Sequence, residues 1–181
     1  MKKTESETII ETARVKMRRF SMEDVPTLYK ILSDPITMKF WPQPFDLEGT
    51  KNWIQLSLKG YESTGLGRFA LIHKESGQLI GHCGFLRTMI NGKLENDLGY
   101  ILDKNYWGQG LASEAAAACL KFGTETLGLN RIVANMEDLH VESRKVAEKI
   151  GMRFELTFIN PRNRNLNTWL LVYPPGEPKG S

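Results

Sequence analysis

Cysteine is almost absent from this chain: Cys83 and Cys119 are the only two among 181 residues. One falls in a strand-like run and the other in a helix-like one. Both read as small core hydrophobes in a reducing compartment, not as a disulfide framework. Histidine is nearly as scarce, and His73, His82 and His140 show no metal-ligand spacing with the cysteines, so no metal is expected. No apolar run approaches the roughly 18 residues of a membrane span, and the opening MKKTESETII is too charged for a signal peptide. A cytoplasmic location without a membrane partner follows as the expectation. A dominant charge is lacking too. The 24 basic and 21 acidic side chains leave a net charge of +3, which gives no reason to expect nucleic acid as a partner.

What is present suits one compact domain, since 41% of residues are hydrophobic and 25% charged. Residues 1–12 are expected to be a flexible leader, 13–173 the domain, and 174–181, with PPGEPKGS, a disordered tail. A first strand runs through Val15 and Met17 toward Phe20. A helix follows, with Ser21 or Asp24 as cap and Pro26 in its first turn. "KFWPQPF" (Lys39 to Phe45) is an aromatic loop, because Pro42 and Pro44 exclude regular structure. A second helix carries Trp53, Ile54, Ser57 and Tyr61. "RFALIH" and "QLIGHCGFL" form a hairpin, the turn NGK leads into a strand over Glu95–Asp103, and a helix is expected from about Leu111 to Leu127. "RIVANM", a helix over Val141–Ile150 stopped by Gly151, and strands near Phe154–Ile159 and Thr168–Tyr173 complete the chain. The strand over Glu95–Asp103, the following helix and RIVANM make a right-handed crossover, so those two strands are parallel. The fold class is therefore α/β (α+β): a mixed, mostly antiparallel sheet with flanking helices.

In such sheets ligands dock beside the helix that follows a parallel strand. Here that position holds "YWGQGLASEA", with Gly108 and Gly110 directly before a strong helix former. Paired glycines suit close backbone approach, and helix N-terminal amides suit an anion. The loop lacks the Gly-Lys-Ser/Thr ending of a Walker loop and the three glycines of a dinucleotide fingerprint. A nucleotide-binding regulatory domain is disfavoured accordingly.

These residues, with "GY" before them and "LGLNRI" and "ESRKVAEKIGM" after them, resemble the GNAT superfamily of acetyl-CoA-dependent N-acetyltransferases. The resemblance is to the RimJ/RimL branch and extends from about Arg14 to about Tyr173. It implies a GNAT fold whose parallel pair splays apart. It also implies direct transfer of acetyl from acetyl-CoA to a primary amine, on a protein N-terminus or a small molecule. The enzyme would be a monomer or homodimer. The rival reading is a non-catalytic acyl-CoA-binding sensor. Two departures stand out: Trp107 replaces the loop's usual basic or amide residue, and Ala147 replaces the helical Tyr that many members use as an acid. His140 also stands where the branch usually carries Asn.

The resemblance assigns the cofactor arm to the backbone of Tyr100, Ile101 and Leu102. The pyrophosphate falls to Trp107, Gly108, Gln109, Gly110, Leu111, Ala112 and Ser113, with His140 and Ser143 nearby. Glu114, in the same first turn, is read as structural and pointing away. Transfer needs a neutral amine, and an alkylamine is largely protonated at neutral pH. Asp97, or Glu95 on the same strand face, is the candidate base or water relay. Ser143 is the candidate donor to the leaving sulfur. Phe40, Trp41, Phe45 and Phe85 are the candidate acceptor-pocket lining.

Overall fold

The computed structural model describes residues 7–174. Eight strands form one sheet: β1 Thr8–Glu11, β2 Val15–Arg19, β3 Arg68–His73, β4 Leu79–Ile90, β5 Lys93–Leu102, β6 Ile132–Glu137, β7 Arg153–Asn160 and β8 Leu166–Tyr173. Their order across the sheet is β1-β2-β3-β4-β5-β6-β8-β7. All neighbouring pairs are antiparallel except β5 and β6, which are parallel, as the crossover requires. The helices are α1 Val25–Leu32, α2 Leu47–Ser63, α3 Leu111–Glu125 and α4 Val141–Lys149. No helix among the described residues is long and apolar enough to cross a membrane.

One expectation needs correction. Residues 8–11 belong to no flexible leader; they are an edge strand paired with β2, and Ile10 is buried. Two adjacent isoleucines supply too short an apolar signal between charged neighbours. The pairing is fixed instead by a turn in which Thr12 N donates to Val15 O at 2.9 Å. The expected tail from residue 175 onward, like residues 1–6, lies outside the described residues.

Buried clusters cover both faces of the sheet. On one face Leu111, Ala115, Ala116, Cys119 and Leu120 of α3 recur at helical spacing and pack on Phe69, Leu71, Phe85 and Leu98. On the other, Leu28, Leu32 and Ile54 of α1 and α2 cover Ala70 and Ile101. Both cysteines are buried and free.

The parallel pair positions the site. β5 and β6 share one register pair, Asp97 opposite Val133. Beyond it β5 stays with β4 as far as Leu102, while β6 follows β8 as far as Glu137. The two strands therefore part immediately after Asp97.

Candidate active site

A cavity of about 750 Å³ fills the gap between them. Gly99, Tyr100 and Ile101 form one wall, Asn135 and Met136 the opposite wall, and His140 and Ser143 the side toward α4. Phe40, Trp41 and Trp53 form its aromatic end. Asn163 Nδ2 donates to the Phe40 carbonyl at 3.1 Å, and Arg162 Nη1 donates to Thr88 Oγ1 at 3.0 Å. These bonds tie the β7–β8 loop to the aromatic loop and to β4.

The glycine loop lies at the carboxyl end of β5. Gly108 and Gly110 have φ of 73° and 78°, a conformation costly for any residue with a Cβ. A Cβ at Gly108 would meet nothing within 4 Å, and one at Gly110 would meet only Arg14 Nη2, at 3.5 Å. Conformation, not crowding, therefore requires these two glycines. Glu114 N donates to Gly110 O at 3.0 Å. The amides of Leu111, Ala112 and Ser113 precede that bond and have no partner within the helix. The Leu111 side chain is buried in the core beneath α3. Trp107 Nε1 donates to Leu102 O at 2.9 Å, which uses the indole to anchor the loop to β5.

Glu114 turns from the loop, as expected, and clamps it from behind. Its carboxylate accepts from Thr12 Oγ1 at 2.6 Å, Arg14 N at 2.9 Å and Arg14 Nε at 2.7 Å. Arg14 Nη1 in turn donates to Gln109 O at 2.8 Å. The turn between β1 and β2 thus braces the glycine loop. Arg14 escapes sequence reading because the contact spans about a hundred residues.

The two candidate carboxylates part company. Asp97 lines the cavity and is buried; its Oδ2 accepts from Arg68 Nη2 at 2.7 Å and its Oδ1 from Asn135 Nδ2 at 2.8 Å. Glu95 is not brought to the cavity. It accepts from Arg131 through both oxygens, at 2.9–3.2 Å, and Arg131 also donates to Glu155. The hydrogen bonds that Arg131 donates to Glu95 and then to Glu155 raise its pKa, although burial opposes them. Glu95 is a clamp across the parallel pair.

Arg68 reaches Asp97 by lying flat across the sheet over Gly99, where a Cβ would sit 2.5 Å from both Nη atoms. Its Nη1 also donates to the Gly84 carbonyl and, at 3.3 Å, to that of Asp97. Beside it stands His82, fully buried. Trp53 Nε1 donates to His82 Nε2 at 3.1 Å. Indole is a donor only, so Nε2 is the acceptor and the neutral ring carries its proton on Nδ1. Burial first, and then the Arg68 charge, push the His82 pKa well below its ordinary value, so the ring is neutral at pH 7. The signals for this cluster are a charged residue opening the apolar run RFALIH and the glycines of GHCGF.

Tyr100 contributes more than backbone. Its hydroxyl donates to Ser143 O at 2.8 Å and lies 3.3 Å from Ser143 Oγ, linking β5 to the first turn of α4 across the gap. Burial raises the phenol's pKa, with the Ser143 contact opposing, so it stays protonated. His140 stacks on Phe40 with ring centres 3.9 Å apart. Burial lowers its pKa to about 4, which leaves it neutral at pH 7.

Of the expected pocket aromatics, Phe40 and Trp41 line the cavity. Phe45 packs edge-on against Trp41 and Trp53 beside it, at a smaller depression. Phe85 is corrected: it faces the opposite core, so close to α3 that a Cβ on Gly123 would lie 2.6 Å from its ring. Strand periodicity gives Phe85 a face, and only the packed helix shows which face that is.

Comparison with known proteins agrees with this geometry. A model of the Acetyltransferase (GNAT) domain matches residues 14–153. A Bacillus licheniformis protein named "Uncharacterized N-acetyltransferase p20" is 36% identical over 151 residues, 80% of this chain and 82% of its own. The crystal structure of a Bacillus anthracis acetyltransferase (GNAT family) superimposes with a TM-score of 0.75 at 29% identity, covering 90% of this chain and 96% of that one. RimL, a ribosomal L7/L12 α-N-protein acetyltransferase solved with coenzyme A, shares the fold: TM-score 0.74, 17% identity, 92% and 97% covered. The chain belongs to the GNAT family and is an N-acetyltransferase.

Proposed function

We propose that the protein transfers acetyl directly from acetyl-CoA to a primary amine, without a covalent enzyme intermediate. The acceptor is a protein N-terminal α-amine, as in the RimJ/RimL branch, or a small amine. The observation that carries this reading is the parting of β5 and β6 beside a glycine loop at the N-terminus of α3. Loop amides and the helix dipole suit a pyrophosphate, and the gap suits a pantetheine arm. RimL, a ribosomal L7/L12 α-N-protein acetyltransferase, carries coenzyme A on the same fold, which supports both halves of the proposal.

The amine nitrogen attacks the acetyl carbonyl, the C–N bond forms, and the C–S bond breaks. Asp97 holds a water that takes the amine's surplus proton. Its two hydrogen-bonded partners hold it oriented for that task. Ser143, held against Tyr100, donates to the departing sulfur. A thiol of reference pKa about 8.5 is a good leaving group, so no stronger acid is needed and the absent helical Tyr is tolerated.

The test has two arms. CoA should raise the melting temperature while ATP and NAD do not; a shift with ATP and none with CoA overturns the ligand assignment. Acetyl-CoA consumption should then depend on an amine, within a panel of N-terminal peptides and small amines. Turnover with any of them excludes the sensor reading.

A further inference from the structure

We propose that the acceptor is a small amine carrying a carboxylate well separated from its nitrogen, and that Arg162 binds that carboxylate. The inference rests on the cavity being the acceptor site, as proposed above.

Charge gives the first argument. Asp97 and Glu137 line the cavity and each faces an arginine, Arg68 at 2.7 Å and Arg164 at 3.6 Å. Arg162 lines it too, and among the described residues no carboxylate pairs with it. Its side chain makes one hydrogen bond there, from Nη1 to Thr88 Oγ1 at 3.0 Å. The rest of that planar fork of N–H donors is left for a ligand. An ammonium group would meet this cation as a like charge, and a polyamine would do so more than once. An amine that brings its own anion meets it as a partner.

Placement gives the second. The Arg162 amide donates to Asn160 Oδ1 at 3.0 Å, and Asn163 N donates to Asn160 O at 3.1 Å, so the turn that presents Arg162 is held from within. Asn163 also holds the Phe40 carbonyl while Arg162 holds Thr88, and both of those residues line the cavity. These ties leave less room for a polypeptide leading out than for a small molecule that ends inside.

Spacing gives the third. Leu86 is the register partner of Asp97, and Thr88 stands two residues farther along β4 on the same face. Diagonal neighbours of this kind are roughly 7–8 Å apart. An amine beside the water on Asp97 and a carboxylate on Arg162 are therefore several bonds apart. An α-amino acid, with its carboxylate one carbon from the nitrogen, cannot reach both. An ω-amino acid can.

Steady-state kinetics at saturating acetyl-CoA test this with 6-aminohexanoate, whose chain spans that separation, and its neutral amide. The acid should show kcat/KM about tenfold above the amide, as a charge-assisted hydrogen-bonded pair contributes. Glycine and 1,6-diaminohexane should fall below the acid. Arg162→Gln should bring the acid down to the level of its amide, and Arg162→Glu should turn the preference toward the diamine. A CoA-induced thermal shift as large as that of the wild type shows that each variant is folded. Equal values for acid and amide on the wild type, or an advantage that survives Arg162→Gln, overturn the proposal. So does a peptide, Ala-Asp-amide, that outpaces 6-aminohexanoate, because its anion then comes from a polypeptide. Calorimetric titration of the CoA-saturated protein keeps the two readings apart. An acid that binds tighter than its amide only when Arg162 is present upholds the anion site even where no acetyl moves. Acetylation of every amine without discrimination upholds the transfer and removes the anion site.

Discussion

Gly99 and Gly110 are the same residue serving opposite needs. At Gly110 there is room for a side chain and the backbone forbids one, with φ at 78°. At Gly99 the backbone is ordinary strand and the space is taken, because the Arg68 guanidinium occupies the position of a Cβ. One glycine shapes the backbone of the loop ahead of α3; the other makes way for a cation that holds a carboxylate at the cavity. Glycine count alone separates neither job from the other.

The sharpest way to break the comparison is Gly99→Val. It should dislodge Arg68 and leave Asp97 buried without its partner, a loss of about 3–5 kcal/mol. Urea unfolding checks it; a variant as stable as the wild type would mean Arg68 can be accommodated elsewhere. Next comes Asp97→Asn, expected to lower kcat/KM by roughly 10²–10⁴ through lost proton transfer. The deficit should shrink as pH rises and the amine deprotonates, with CoA affinity kept. A deficit constant in pH would assign Asp97 to packing alone.

Gly110→Val should leave the fold intact and cancel stabilisation by CoA, which for the wild type is about 2.7 kcal/mol at a hundredfold excess over Kd. An undiminished thermal shift would reduce the loop to a connector. Glu95→Gln should cost less than Gly99→Val, because Gln can still accept from Arg131 and Arg131, part-exposed, keeps Glu155. Its activity should stay at wild-type level; a loss that shrinks with pH would return Glu95 to the base role.

Acid supplies a further contrast. The unfolded chain takes up the His140 proton near pH 6.5, and the folded chain only near 4, because burial disfavours the imidazolium. Between those values the unfolded state binds more protons, so stability falls as pH falls. His82 acts in the same direction. His140→Asn should flatten the decline of unfolding free energy between pH 6.5 and 4. An unchanged slope would show that His140 is free to protonate in the fold.

The glycine loop, the parallel pair and the ends of α3 and α4 were legible in the sequence because each is written locally. A positive-φ glycine, a crossover and a C-terminal Gly151 leave marks within a few residues. The edge strand Thr8–Glu11 was missed because its order comes from pairing with β2. Glu95 and Asp97 look alike on paper; Arg131 and Arg68, brought in by folding, make one a clamp and place the other at the cavity. His82 looked like any strand histidine until Trp53, on another element, fixed which nitrogen carries the proton. Local rules set conformation, and partners distant in sequence set chemistry.

One backbone pair, Asp97 opposite Val133, joins the sheet's two halves. The remaining links named across that seam are side chains: Asn96 and Glu95 to Arg131, Asp97 to Asn135, and Tyr100 to Ser143. The seam is held by the shared core beneath α3 and by these polar ties on either side of the one backbone pair. Amide hydrogen exchange should record the seam as a boundary, slow in β4 and β8 and faster along the facing edges of β5 and β6. Any molecule that spans the gap and pairs with both edges would act as the missing strand, and exchange would slow on both sides of the seam together.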